Sequence, residues 1–383
     1  MRSRLLTGSV VVALVATQAV AGTAAAEPVA DLASVVTARM HAAAPVAATA
    51  STTPRVNVTE QDGEWAFGTA VLATARGSDD HPTGWLFVAH RDGAGWEVAL
   101  EGEPAFADLA AGAPVVSEAE RPLLTALGRP AALGPGDWRT GMALPFAVGQ
   151  SWGMPGGPHG WSGAAAPWSS LDLAGGDQVV RAARGGTAYT MCTGWIRVIH
   201  DRGYSTDYYH LWNSINVNGA SVGQGAFLGN TGTDVTCGGA ASGRHVHFAL
   251  RQNSAYIGIA NHDVGKWVLQ NGAAAYQGSA LHGSARAYAG GSLHNHGALG
   301  FTQAVMDANG GGVVNKRTGP GSGHALAGTV ADGATVNVAC SANGTSHTGR
   351  WGTSSLWNRL TDGTWVSDAY MWTGLSVPVN GYC

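Results

Sequence analysis

The stretch "GRHVHFAL", residues 243–250, sets two histidines two apart inside an otherwise apolar run that reads as a β-strand. Side chains at i and i+2 of a strand leave the same face, so His245 and His247 point into one space. What surrounds them favours the strand: glycine numbers 57 and only 12% of residues are charged, a composition suited to turn-rich β structure rather than long solvated helices. At 383 residues and 45% hydrophobic content the chain has room for two or three domains with real cores, and a mainly β protein is expected.

Arg2 and Arg4 precede an apolar run from Leu5 to about Val20, and Ala24, Ala25 and Ala26 supply the small-residue pattern of a cleaved signal peptide. Residues 1–26 are read as that signal, so the protein is expected to be secreted and extracellular. Four cysteines fit an oxidising destination, and Cys192 with Cys237 and Cys340 with Cys383 is the simplest of the three possible pairings. A zinc site built from all four lacks any Cys-x-x-Cys pair. Charge is uneven: residues 27–135 carry 14 acidic and 6 basic side chains, net −8, whereas 136–383 carry 11 and 13, net +2. An acidic pro-segment covering a secreted domain fits that asymmetry.

Residues 27 to about 54 read as a linker or loosely held arm. "WAFGTAVLAT", "GWLFVAHR" and "GWEVALEG" follow as a small antiparallel β-domain, then a helical "EAERPLLTALG" and a Pro/Gly-rich stretch, with a processing region at roughly 122–137. From about 140 the strands continue through "WSSLDLAGG", "GWIRVIHD", "STDYYHLW" and "RHVHFALRQ". "GTVADGATVNVAC", "RWGTSSLWNRL" and "GTWVSDAYM" read as three strands of a last block. The expected divisions are 1–26, 27–135, 136–300 and 301–383.

Of the 14 histidines most are ordinary, and His81 is placed in that class along with His41, His90, His262, His282, His324 and His347. Catalytic zinc takes three protein ligands, His and carboxylate, and keeps a fourth position for water. "GGPHGWSGAAAPWSSLDLAGG" offers His159 on a loop and Asp172 in a following strand, though spacing alone gives no geometry. His-Glu-x-x-His is absent, nothing after the His-x-His suits a cupin or a metallo-β-lactamase, and no Gly-x-Ser-x-Gly stands between strand and helix.

The three runs "ALPFAVGQSWGMPGGPHGWSGAAAPWSSLDLAGG", "RVIHDRGYSTDYYHLW" and "GRHVHFAL", in that order over about 140–300, resemble the lysostaphin-type zinc metallopeptidases, their β-lytic and staphylolysin branch in particular. That resemblance implies one Zn²⁺ per catalytic domain held by His159, Asp172 and His247, with His245 and His210 as the catalytic pair. His200 is read as structural, and His294 with His296 as surface or core. Asn315, Arg317, Gly319 and Pro320 in the last block resemble the core of bacterial SH3-like wall-binding domains, a small β-barrel in which Trp351 and Trp357 are candidates to stack on ligand. Together these imply a secreted bacteriolytic endopeptidase made as a pro-protein and acting on peptidoglycan or glycine-rich peptides next to glycine. A zinc-holding wall-binding protein that does not cut is the alternative. Nucleic acid and membrane partners are not expected, and the chain is read as a monomer.

Overall fold

The computed structural model describes residues 31–44, 51–93, 95–129 and 136–383. The signal segment and residues 130–135 of the processing stretch lie outside them. The protein is mainly β, and no described helix is long and apolar enough to cross a membrane.

A nine-stranded sheet forms the central body, and its middle strands run antiparallel in the order Gly186–Cys192, Trp195–Ile199, Tyr204–Tyr209, Val246–Gln252, Ser170–Ala174, Ser151–His159. Period-2 alternation gives this sheet two different faces. Val246, Phe248 and Leu250 point into one large apolar core with Leu171, Leu173, Ile196, Val198, Tyr204 and Tyr208. The other parity of the same strands carries Asp172, Arg197, Asp207, Tyr209, His247, Ala249 and Arg251. Register is therefore decisive: a one-residue slip would exchange the two sets.

A four-stranded antiparallel sheet, Thr53–Asp62, Trp65–Ala73, Thr83–Asp92 and Gly95–Leu100, lies on that second face. Phe67, Val71, Leu86, Val88 and Ala99 share a core with Trp161, Tyr189, Met191, Trp195, Ile199 and Tyr209 of the central body. The alternate residues Ala66, Ala70, Leu72, Phe87 and Ala89 bury against Val36 and Met40. Both faces of the two middle strands are thus covered, which explains the nearly continuous apolar runs of Trp65–Ala73 and Thr83–Asp92, whereas Thr53–Asp62 is mostly exposed.

Val36 and Met40 belong to a helix, Leu32–Ala43, where the sequence suggested a loose arm. Asp31 caps it, its Oδ1 accepting the Ser34 amide at 2.9 Å, and the alanine-rich run has the propensity to continue. Its apolar stripe is only two residues wide, so the pattern was too faint to read. A second helix, Pro104–Gly112, was also missed, and the third, Arg121–Leu127, buries Leu124 and Leu127 inside the stretch assigned to processing. Asp263–Val264, Trp267–Asn271, Gly278–His282 and Ala285–Tyr288 form a further small sheet that the sequence did not announce.

The last block is a seven-stranded antiparallel arrangement around Ala304, Met306, Val314, Val338, Leu360, Val366 and Met371. "GTVADGATVNVAC" is two strands rather than one, Leu326–Ala331 and Thr335–Gly349, because the chain turns at Asp332 and Gly333, where Gly333 takes φ +71°. Trp357 is 2% exposed and donates its indole N–H to Thr345 O at 2.9 Å. Trp351 is partly buried against Val305 and Trp372. Disulfides join Cys192 to Cys237 and Cys340 to Cys383.

Candidate metal centre

The centre is assembled by strand register. His247 pairs with Asp172 across one strand boundary and with Tyr209 across the other, so Asp172 and His247 stand side by side on the same face. His159 ends its own strand opposite Ser170, two residues from Asp172. Gly156 faces Asp172 directly, and a Cβ there would come within 2.5 Å of Oδ2; only glycine lets the carboxylate sit this close to the neighbouring backbone.

The donor atoms are oriented by hydrogen bonds to backbone carbonyls. Nδ1–H of His159 donates to Gly157 O at 2.7 Å, which leaves Nε2 as a lone pair aimed inward. That Nε2 lies 3.2 Å from His247 Nδ1 and 3.5 Å from Asp172 Oδ1, and His247 Nδ1 is 3.2 Å from the same Oδ1. Ligands about 2.0–2.1 Å from a tetrahedral zinc would stand roughly 3.3–3.4 Å apart, so this trio has the spacing and the chemistry of a His₂Asp zinc site. Burial opposes ionisation of Asp172, but the surrounding imidazoles of His159, His247 and His245 outweigh it and hold the carboxyl well below its usual range. An anionic oxygen therefore faces two imidazole nitrogens in a buried pocket.

His245 and His210 flank the trio. Nδ1–H of His245 donates to Gly243 O at 2.7 Å, and its Nε2 approaches Asp172 Oδ1 at 3.4 Å. Nδ1–H of His210 donates to Asp234 O at 2.9 Å, leaving a buried Nε2 with no hydrogen-bond partner. Its φ of +67° is rare for a residue with a side chain and turns the ring back over the sheet, 4.9 Å from the His245 ring. Burial, with His81 and His245 adding to it, pushes the His210 pKa down to about 3. Tyr276 stacks on His159 at 4.1 Å and stands at the rim, 42% exposed.

All five residues named for metal and catalysis come together here. His200 does not join them: its nitrogens face Gly185 O and Thr206 Oγ1 at 3.0 and 2.9 Å. His296 stacks on His282 at 3.8 Å, outside the centre. One histidine placed in the ordinary class does enter: His81, from the loop between two strands of the front sheet, whose ring lies 4.8 Å from that of His247 and 5.2 Å from that of His210. Its setting, "SDDHPTG", has no periodicity and matches none of the three runs, so nothing in the sequence singled it out.

No protein-family model matches the chain. It is 32% identical over 146 residues to Protease LasA of Pseudomonas aeruginosa, covering 35% of each chain, so it spans about a third of that relative. It is 33% identical over 127 residues to the beta-lytic metalloendopeptidase of Lysobacter enzymogenes, covering 30% of this chain and 71% of that one. Among solved structures, one titled a novel M23 metalloprotease, pseudoalterin, from the deep sea shares 31% identity over 40% of this chain and 97% of its own, with a TM-score of 0.38. With that identity reaching across more than two thirds of the Lysobacter protein, the chain belongs to the β-lytic metalloendopeptidase family.

Proposed function

We propose that the protein is a secreted zinc endopeptidase that hydrolyses peptide bonds of bacterial peptidoglycan, next to glycine, and is made as a pro-protein. The observation that carries the reading is the convergence of His159 Nε2 and His247 Nδ1 on Asp172 Oδ1 at tetrahedral-ligand spacing. Zinc bound there would act as a Lewis acid on the scissile carbonyl and lower the pKa of a water to near neutrality. His245, whose Nε2 faces Asp172 from the less buried side, is placed to take a proton from that water. His210, neutral through burial and fixed by its Nδ1–H to Asp234 O, aims its Nε2 lone pair at the same space, where it can accept a proton. Peptidoglycan as substrate follows the family resemblance, secretion is supported by the two disulfides and the N-terminal signal pattern, and residues 301–383 are assigned wall binding.

The test is metal content and cleavage measured together. The processed protein should hold about one zinc per chain, and Asp172→Ala and His247→Ala should each lose zinc and hydrolysis of glycine-containing peptides. Full zinc in either variant would remove that residue from the ligand set.

A further inference from the structure

We propose that a cleft between the central body and the last block binds the glycan strand of peptidoglycan, taking one N-acetylated sugar ring between Trp138 of the body and Trp351 and Trp372 of the block. This rests on the wall-binding reading above and names the part of the wall that is held.

Both halves build the cleft. Trp138 and Asn261 come from the body, and Trp351, Ser354, Asp368 and Trp372 from the last block, around a cavity of about 260 Å³. Small-ligand sites begin on the order of 300 Å³, so the space suits one sugar ring rather than a long peptide. Main chain fixes the seam: the Trp138 amide donates to Gly374 O at 3.1 Å. Gly374 takes φ +74°, and a Cβ there would overlap Arg139 Cγ and the Trp372 ring, so only glycine lets the two halves approach this closely.

The walls select the class of ligand. Trp138 is 37% exposed, yet its ring is held edge-on against the buried His262, 5.0 Å away. The rings of Trp351 and Trp372 meet at 68° with centroids 6.4 Å apart, which gives the cleft further aromatic surface. A sugar ring presents a face of C–H groups that packs on indole, and an edge of hydroxyls that needs polar partners. Asp368, Ser354 and Asn261 supply such partners, and Asp368 is held in place by the Asn358 amide at 2.8 Å.

The Trp351 indole N–H is buried without a hydrogen-bond partner. An N–H left in that state is costly, and the acetamide carbonyl of an N-acetylated sugar is an acceptor that satisfies it. Among the described residues that line the cleft there is no Lys or Arg, and the one ionisable side chain, Asp368, is acidic. Phosphate-bearing ligands are therefore disfavoured, and a glycine-rich peptide has no ring to set against three indoles.

The full chain is titrated by calorimetry with peptide-free oligosaccharides of alternating N-acetylglucosamine and N-acetylmuramic acid, and in parallel is sedimented briefly with intact wall. Wild type should bind both. Trp138→Ala should weaken oligosaccharide binding by about tenfold or more, the usual cost of truncating an aromatic anchor, and Trp138→Phe should recover part of it. Trp351→Phe, which keeps an aromatic ring and removes the N–H, should lose the preference for N-acetylated over deacetylated sugar. In ¹⁵N-labelled wild type the Trp351 indole signal, assigned by its absence from Trp351→Phe, should move downfield as sugar is added. Unchanged affinity in Trp138→Ala, or a Trp351 indole signal that stays put at saturating sugar, overturns the proposal. Wall binding without any binding of the oligosaccharide also overturns it and leaves the wall-binding reading standing, with peptide as the part recognised. Failure of wild type to bind either would overturn both.

Discussion

The regions that flank the central sheet attach to it in opposite ways. Residues 31–129 lie on the face that carries the histidines and share a core with it, and they bury Glu101, its side chain fully enclosed, between Arg197 and Arg251 at 2.7 Å from each. Residues 301–383 touch the body away from that face. Their contacts run through the small sheet of residues 263–288 and a few polar links, such as Lys266 Nζ to Thr335 Oγ1 at 3.0 Å and Arg139 Nη1 to Phe301 O at 2.7 Å. The first region therefore covers the face that carries the centre, and the second stands away from it.

If that division is right, neither flank supplies the proton-handling groups. His245→Ala should keep zinc and lose activity by on the order of 10² to 10⁴, and His210→Ala should behave likewise, with or without either flank. Near wild-type turnover in either variant would return the chemistry to an unidentified group.

Glu101→Ala should have the next largest effect, confined to the unprocessed chain. It leaves Arg197 and Arg251 buried with only Asp207 between them, a loss of about 3–5 kcal/mol for breaking a buried pair. Burial resists the ionised Glu101, but Arg197 and Arg251 outweigh it and keep the pKa below the ordinary value. The stabilisation is thus fully present above the unfolded pKa near 4.3 and is lost as pH falls through the lower folded value. Acid should loosen the front region, and hydrogen exchange of residues 65–100 across pH 3–6 would show it. Protection that does not fall in acid, or a Glu101→Ala chain as stable as wild type, would show that the ion cluster is not what holds this flank.

Removing residues 301–383 should act more gently, leaving hydrolysis of a short soluble peptide within about twofold while weakening action on insoluble walls, because a tethered binding domain raises local substrate concentration without altering the centre. Wall binding unchanged by the truncation would end the targeting assignment.

The two flanks also differed in how legible they were. The strands of the central sheet could be read because alternation is a local signal, and "HVHF" places two histidines on one face whatever surrounds it. Asp172 and His159 lie far from that strand in sequence, so bringing them to it depends on strand order, and only the resemblance joined them beforehand. His81 and Glu101 belong to neither kind of signal. Each is an isolated polar residue in a loop or strand end whose decisive partners, His210 and His247 for the first and Arg197 and Arg251 for the second, sit more than 90 residues away in the chain, and a single sequence carries no record of that contact. In the last block, Trp357 was read as a possible ligand platform because aromatic residues serve cores and binding faces alike, and burial alone decides between them.

The smallest expected effect, and the sharpest contrast of sign, lies at Asp368. Burial pushes its carboxyl up to about 6 although Asn358 donates to it at 2.8 Å. The folded block therefore keeps a proton that the unfolded chain releases near pH 3.9. Its contribution is fully present below that pH and is lost as pH rises through about 6, the reverse of Glu101. Between pH 4 and 6 the last block should weaken while the front region holds firm. Asp368→Asn keeps an acceptor for Asn358 and cannot titrate, so hydrogen exchange of residues 352–372 should become nearly flat across that window. If variant and wild type lose protection equally as pH rises, Asp368 is not the group responsible, and the opposite pH response of the two flanks would need another source.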